Sequence, residues 1–220
     1  MEIVNALARQ YAEKYTSAED ELVKEVADYT KAHHQMPQML SGHLQGKFLE
    51  MISCMIRPKR ILEIGTFTGY GALCLAKGLA KDGVLHTIEL REEESKTAQQ
   101  FFDRSSLKEK IILHTGDALQ IIDELKETWD LVFIDADKVG YINYFNRVIL
   151  KVRQNGFILA DNVLFHGDVL TSPVSGKNAI AIQNFNDFIN GRDDIEKLML
   201  PLRDGIYLIK KNYMSLLKIN

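Results

Sequence analysis

After Pro58 the sequence alternates short apolar runs with stretches of helical periodicity, and this alternation limits the fold more than any other feature. The runs are Arg60–Ile64, Val84–Ile88, Lys110–His114, Asp130–Ile134, Phe157–Ala160 and Ile206–Ile209, with a weaker one at Ile195–Leu200. A strand covered on both faces reads as a continuous apolar run, and a parallel neighbour is reached only through a crossover, usually a helix. Strands alternating with helices therefore predict an α/β protein with a mainly parallel, doubly wound sheet. The last two runs are separated only by Pro201 to Gly205. That gap is too short for a crossover helix, so these two are expected to pair antiparallel.

Before Pro58 the pattern is helical. Thr16 and Glu19 have the spacing of a capping box ahead of a helix from about Ala18 to His34, and Pro37 breaks the chain. A second helix is expected from about Gly42 to Ile56, with Leu44, Phe48, Met51, Ile52, Met55 and Ile56 on its apolar face. This N-terminal segment, residues 1–57, has no core signature of its own. The 220 residues are therefore read as one domain, with the sheet in 58–220.

Composition narrows the function classes. The net charge of -3 argues against a nucleic-acid binder, which would carry a basic footprint. No apolar stretch approaches the roughly 20 residues that span a bilayer. The stretch Met1–Arg9 holds Glu2 and Arg9 and lacks an apolar signal core, so a cytoplasmic location is expected. Cys54 and Cys74 lie in apolar helical contexts and are expected to be buried thiols.

The chemistry stands at the ends of the runs. The first leads into Gly65-Thr66-Phe67-Thr68-Gly69-Tyr70-Gly71, the second ends at Glu89 and the third at Gly116-Asp117. The fourth ends at Asp135 and the fifth at Asp161-Asn162. Open α/β sheets bind ligands at the carboxyl ends of their strands, so five runs deliver glycines or acids to one rim. The loop spacing G-x-x-x-G-x-G, preceded by Glu63, differs from the dinucleotide pattern G-x-G-x-x-G and suits a ligand without a pyrophosphate. Glu89, 18 residues after Gly71, can accept hydrogen bonds from two ribose hydroxyls, and Asp117-Ala118 can flank an adenine.

A second constellation is Asp135-Ala136-Asp137-Lys138 with Asp161-Asn162. Two carboxylates from adjacent strands and an amide oxygen favour a hard divalent ion, Mg2+ first and Mn2+ or Ca2+ as alternatives. The competing reading is that these acids only cap the helices that follow.

The segments EIGTFTGYGALCLA, FIDADK and LADNVLFHG together resemble the class I methyltransferases of the caffeoyl-CoA and catechol O-methyltransferase group, most closely its bacterial members. The resemblance runs from about Met39 to Lys210 and includes the 26-residue separation of Asp135 and Asp161. It implies a Rossmann-like methyltransferase fold whose seven-stranded sheet has an antiparallel last strand, and usually a homodimer. It implies S-adenosylmethionine (SAM) as cofactor, a divalent cation, and a small hydroxylated aromatic substrate. By the same resemblance Asp135, Asp161 and Asn162 match the metal ligands and Lys138 the catalytic lysine. Glu63, Gly65, Thr66, Glu89, Ala118 and Asp137 match cofactor contacts, and Met39 and Ser41 fall where further ones lie. Gly71 stands where many relatives carry a serine that binds the methionine carboxylate. His166 stands where plant members place a substrate-contacting asparagine.

The implied reaction is methyl transfer to a catechol-like hydroxyl. A phenol with a pKa of about 10 is a poor nucleophile at neutral pH. A cation can stabilise its ionised form, and a lysine becomes a base when a nearby positive charge lowers its pKa. Asp135 and Lys138 are thus the catalytic pair. Of the six histidines, His43 and His166 are candidate substrate contacts. His33-His34 are assigned to a helix end, and His86 and His114 to structure. Tyr11 and Tyr15 reach the site only if the N-terminal segment folds over it. Two other classes compete. An NAD-dependent oxidoreductase leaves Asp135, Lys138, Asp161 and Asn162 unexplained. A non-catalytic SAM-binding module predicts a damaged triad, whereas here it is intact.

Overall fold

The computed structural model describes residues 4–212, so the first three residues of the Met1–Arg9 stretch lie outside it. Seven strands form one sheet: β1 (Arg60–Ile64), β2 (Val84–Glu89), β3 (Ile111–Thr115), β4 (Trp129–Ile134), β5 (Val152–Asp161), β6 (Ile195–Leu200) and β7 (Ile206–Lys211). Their order is β3-β2-β1-β4-β5-β7-β6. The first five run parallel, and β7 is antiparallel to both β5 and β6. Every expected strand is present. β1 and β6 match the expected bounds, β2, β3 and β4 shift by a single residue and β7 ends two residues later, but β5 begins at Val152, five residues before the expected start.

The helices are α1 (Ala6–Lys14), α2 (Glu21–His33), α3 (His43–Ile56), α4 (Tyr70–Ala76), α5 (Glu92–Arg104), α6 (Ala118–Glu124), α7 (Tyr141–Lys151) and α8 (Lys177–Asn190). Successive strand side chains point to opposite faces, and the sheet buries both. Ile61, Leu131 and Phe133 join Val26, Leu49, Leu73 and Phe102 of α2, α3, α4 and α5 in one core. Leu62, Val132 and Ile134 join Ile122, Phe145 and Phe185 of α6, α7 and α8 in the other. Trp129, expected just ahead of its strand, is its first residue and fully buried. Among the described residues no helix is long and apolar enough to cross a membrane.

The N-terminal helices depart from the expectation in three ways. The Thr16–Glu19 capping box does not form. The helix starts at Glu21, capped by Asp20, whose Oδ1 accepts from Val23 N at 2.9 Å. Thr16 instead returns its hydroxyl to the Ala12 carbonyl at 2.7 Å. On α3 the buried stripe is Gln45, Gly46, Leu49 and Ser53, while Met51 and Met55 are exposed. Small and polar residues win there because α3 lies close to α4. A β-carbon at Gly46 would overlap the Tyr70 ring, and Ser53 Oγ donates to the Leu75 carbonyl at 2.6 Å. Cys54 shares the outward side of α3 and is exposed, whereas Cys74 is buried as expected.

Candidate active site

The carboxyl ends of β1 to β5 form one rim, with Glu89 and Asp135 at the same end of the sheet on the two strands that flank β1. The turn after β1 is drawn tightly onto β4. Gly65 has φ +98, and a β-carbon there would overlap the Asp135 carbonyl oxygen, so only glycine fits. Thr30 of α2 holds the same loop from outside through a 2.8 Å hydroxyl contact with Thr68.

This loop borders a narrow cavity of about 20 Å³ lined by Met39, Leu40, Ser41, Glu63, Gly65, Thr66, Phe67, Tyr70, Gly71, Phe133 and Asp135. Six of the residues expected to contact a cofactor therefore meet in one place, Met39, Ser41, Glu63, Gly65, Thr66 and Gly71, together with Asp135 of the expected cation set. Glu63 at its floor is buried and receives the Thr87 hydroxyl at 2.5 Å, which lies 2.5 Å from Thr66 Oγ1. Burial pushes the Glu63 carboxyl up to about 8, against the pull of the Thr87 hydrogen bond and with help from the charges of Asp135 and Glu89. Glu89 is 5% exposed and borders the cavity by accepting the Phe67 amide at 2.7 Å. Its other oxygen takes the Arg91 amide at 3.1 Å.

The remaining expected cofactor residues lie outside the cavity lining. Asp117 N-caps α6 through Gln120 N at 3.0 Å, with Ala118 as the first helical residue. Asp137 caps the short turn Lys138–Gly140 by accepting Gly140 N at 2.9 Å, and also accepts the Tyr144 hydroxyl. The capping reading thus holds for Asp137, and Asp117 caps in the same way. It does not hold for Asp135 and Asp161.

Asp135 and Asp161 each follow the paired residues Ile134 and Ala160 of β4 and β5, so they stand side by side. Asp161 is fully buried, and its carboxyl is raised by burial first and by the Asp135 charge second. Its Oδ1 accepts Asn162 N at 2.7 Å, and its Oδ2 accepts Gln45 Nε2 at 2.7 Å. Arg203 Nη1 lies 3.6 Å from the same Oδ2, while its Nη2 donates to the Gln38 and Leu40 carbonyls at 2.8 and 2.9 Å. Asn162 gives its Nδ2 to Asp204 Oδ2 at 3.0 Å. Lys138 Nζ is fixed between Asp135 Oδ1 at 3.1 Å and Tyr141 Oη at 2.8 Å, and Tyr141 donates in turn to the Asp161 carbonyl at 3.0 Å. Tyr141 is fully buried, which holds its hydroxyl well above the ordinary tyrosine range. Among the described residues no three His, Cys, Asp or Glu side chains gather as a metal cluster; the candidate set here is two carboxylates and an amide.

Sequence reasoning missed Gln45, Arg203, Tyr141 and Asp204. The separation of Gln45 from Asp161 is 116 residues, so no local pattern announces it. Asp204, two residues before β7, had the only available signal, an acid in the turn of a hairpin. The two histidine candidates separate. His43 Nε2 lies 2.8 Å from the Ser17 carbonyl, which places it against the α1–α2 connection. His166 keeps a ring 73% exposed, 3.5 Å from Asp204. Tyr11 and Tyr15 are exposed and pack on each other at 4.6 Å. His33 contacts the Tyr29 carbonyl of its own helix at 3.0 Å, and His86 stacks on His114, as the structural assignments expected.

The O-methyltransferase family profile matches residues 13–212. The chain belongs to the O-methyltransferase family. Caffeoyl-CoA O-methyltransferase 2 of Populus trichocarpa is 32% identical over 206 residues, 88% of this chain and 83% of that one. An O-methyltransferase from Bacillus cereus, solved in complex with SAH, superposes on this O-methyltransferase with a TM-score of 0.85 at 28% identity, covering 94% of this chain and 97% of that one. The O-methyltransferase TomG from Streptomyces achromogenes, involved in tomaymycin synthesis and solved in complex with SAM, gives 0.85 at 26% identity, covering 94% and 96%.

Proposed function

We propose that this O-methyltransferase moves a methyl group from SAM to a hydroxyl of a catechol-like small molecule, with a divalent cation at the Asp135, Asp161 and Asn162 site. The observation that carries the reading is the side-by-side placement of Asp135 and Asp161 next to the glycine-loop cavity, with Lys138 bridging to the first.

The donor set fits a cation. Two carboxylates crowd together although Asp161 is fully buried and its ionised form is disfavoured. Asn162 spends its NH2 group on Asp204, which leaves its Oδ1 as a neutral ligand. All three donors are oxygens, the set preferred by Mg2+, Mn2+ and Ca2+. When bound, such an ion supplies Lewis-acid stabilisation of an ionised phenolic oxygen. SAM supplies the methyl group on a sulfonium.

The chain's own residues do the rest. The glycine loop, Glu63, Ser41 and Met39 hold the amino-acid end of SAM, and Glu89 accepts from its ribose hydroxyls. Ala118, Asp117 and Asp137 border the adenine side. Lys138 Nζ, held by Asp135 and Tyr141, takes the proton from the substrate hydroxyl. Binding SAM and acceptor on one rim converts a bimolecular reaction into an intramolecular one. His166, with its exposed ring, is the acceptor contact in this reading, and His43 a weaker one.

The two free thiols, one of them exposed, suit a reducing cytoplasm. A homodimer completes the proposal, supported by the exposed apolar side chains Leu7, Tyr11 and Met55 of α1 and α3.

Titration calorimetry of SAM against NAD tests the cofactor, and a screen of catechol-bearing acceptors with labelled SAM tests the reaction. SAM binds and NAD does not. Glu89→Ala weakens SAM binding by about 1–3 kcal/mol, the scale for hydrogen bonds to a charged group. NAD binding, or unchanged SAM affinity in the variant, contradicts the cofactor assignment.

A further inference from the structure

Asp204 lies in the turn between β6 and β7, 5% exposed, and its two carboxylate oxygens are committed to different partners. Oδ1 accepts the backbone N–H of His166. Oδ2 accepts Nδ2 of Asn162 at 3.0 Å, with the His166 ring 3.5 Å away. Backbone bonds complete the attachment, since Val163 N donates to the Gly205 carbonyl at 3.1 Å and Leu164 N to the Asp204 carbonyl at 2.9 Å.

The segment so held is strained. Asn162, Phe165 and His166 all have positive φ, 57°, 40° and 56°, outside the range most side chains adopt. Such conformations persist only where the surroundings over-determine them, and they concentrate at ligand clamps. Here the surroundings are Asp204 and the turn that carries it.

An asparagine amide can present either its oxygen or its nitrogen in a given direction, and only its neighbours decide which. A carboxylate accepts and never donates, so Asp204 fixes the nitrogen toward itself and turns the oxygen the other way. We propose that Asp204 is a positioning residue that orients the Asn162 amide so that its oxygen, not its nitrogen, faces the cation site. The inference rests on the cation reading above but adds a residue to it. Partners of this kind commonly change metal affinity by 10–100-fold when removed.

The geometry gives a test that does not depend on unfolding. In Asp204→Asn the new amide must keep its oxygen on the His166 N–H, because that backbone donor cannot turn. Its NH2 then faces Asn162, which flips and offers NH2 to the cation. The double variant Asn162→Asp/Asp204→Asn restores the pattern. Asp at 162 accepts from the new amide with one oxygen and offers the other to the cation.

Mn2+ binding is measured by electron paramagnetic resonance on the wild type, D204N and N162D/D204N, with thermal unfolding and SAH calorimetry on each. The inference expects Mn2+ affinity to fall about 10–100-fold in D204N, to return in the double variant, and SAH affinity to hold in both. Equal Mn2+ affinity in wild type and D204N overturns it, as does a double variant no better than D204N. A wild type that binds no Mn2+ overturns the cation reading and the inference with it.

Discussion

The carboxylate of Glu63 occupies the space where residue 71 would carry a side chain: a β-carbon on Gly71 would fall under 3.0 Å from Glu63 Oε1. Position 71 therefore has no room for a side chain while Glu63 keeps this place. Gly71→Ser forces Glu63 aside in a packed wall, which costs about 1–3 kcal/mol. Urea unfolding checks the stability and calorimetry the SAH affinity; both are expected to fall. A variant unchanged in both means that Glu63 moves freely and Gly71 has no role.

Glu63 also predicts a pH dependence. Its carboxyl titrates at about 8 in the folded protein because it is buried, against 4.5 when free. The folded state therefore holds a proton that the unfolded state has lost between these values, and stability falls as pH rises through that window. Glu63→Gln removes this contribution and keeps an acceptor for Thr87. The difference in urea midpoint between variant and wild type should move in the variant's favour from pH 5 to pH 8. A difference that stays flat across the range contradicts the assignment.

Lys138 is held by two partners, so its removal should affect chemistry more than architecture. Lys138→Ala is expected to lower kcat by about 10²–10⁴-fold, the usual contribution of a general base. Mn2+ binding should survive, and higher pH should partly rescue turnover because more acceptor is then already ionised. Loss of metal binding together with kcat would make Lys138 structural.

Much of the site is legible in the sequence. Strand ends carry their chemistry in sequence order, so Glu89, Asp135, Asp161 and the glycine loop could be placed on one rim from the runs that precede them. Parallel pairing then puts Asp135 beside Asp161 without further information. What could not be read depends on long-range packing. Gln45 reaches Asp161 from α3, and that helix turns a stripe of small and polar residues inward because Gly46 and Ser53 fit against α4. An apolar periodicity rule assigns that face to Met51 and Met55 instead, and so misses the residue that touches the site. The helix start failed for a similar reason. Asp20 competes with Thr16 as the cap, and Glu19 is drawn off to the Tyr70 hydroxyl.

If a divalent cation supports methyl transfer, chelation must stop it. The enzyme is treated exhaustively with EDTA, and transfer of label from SAM to a catechol acceptor is measured before and after Mg2+ is restored, with SAH affinity followed in parallel. The account predicts that transfer disappears on chelation, returns with Mg2+, and leaves most cofactor affinity in place throughout. Full transfer after exhaustive chelation would contradict it and assign this chain to metal-independent chemistry.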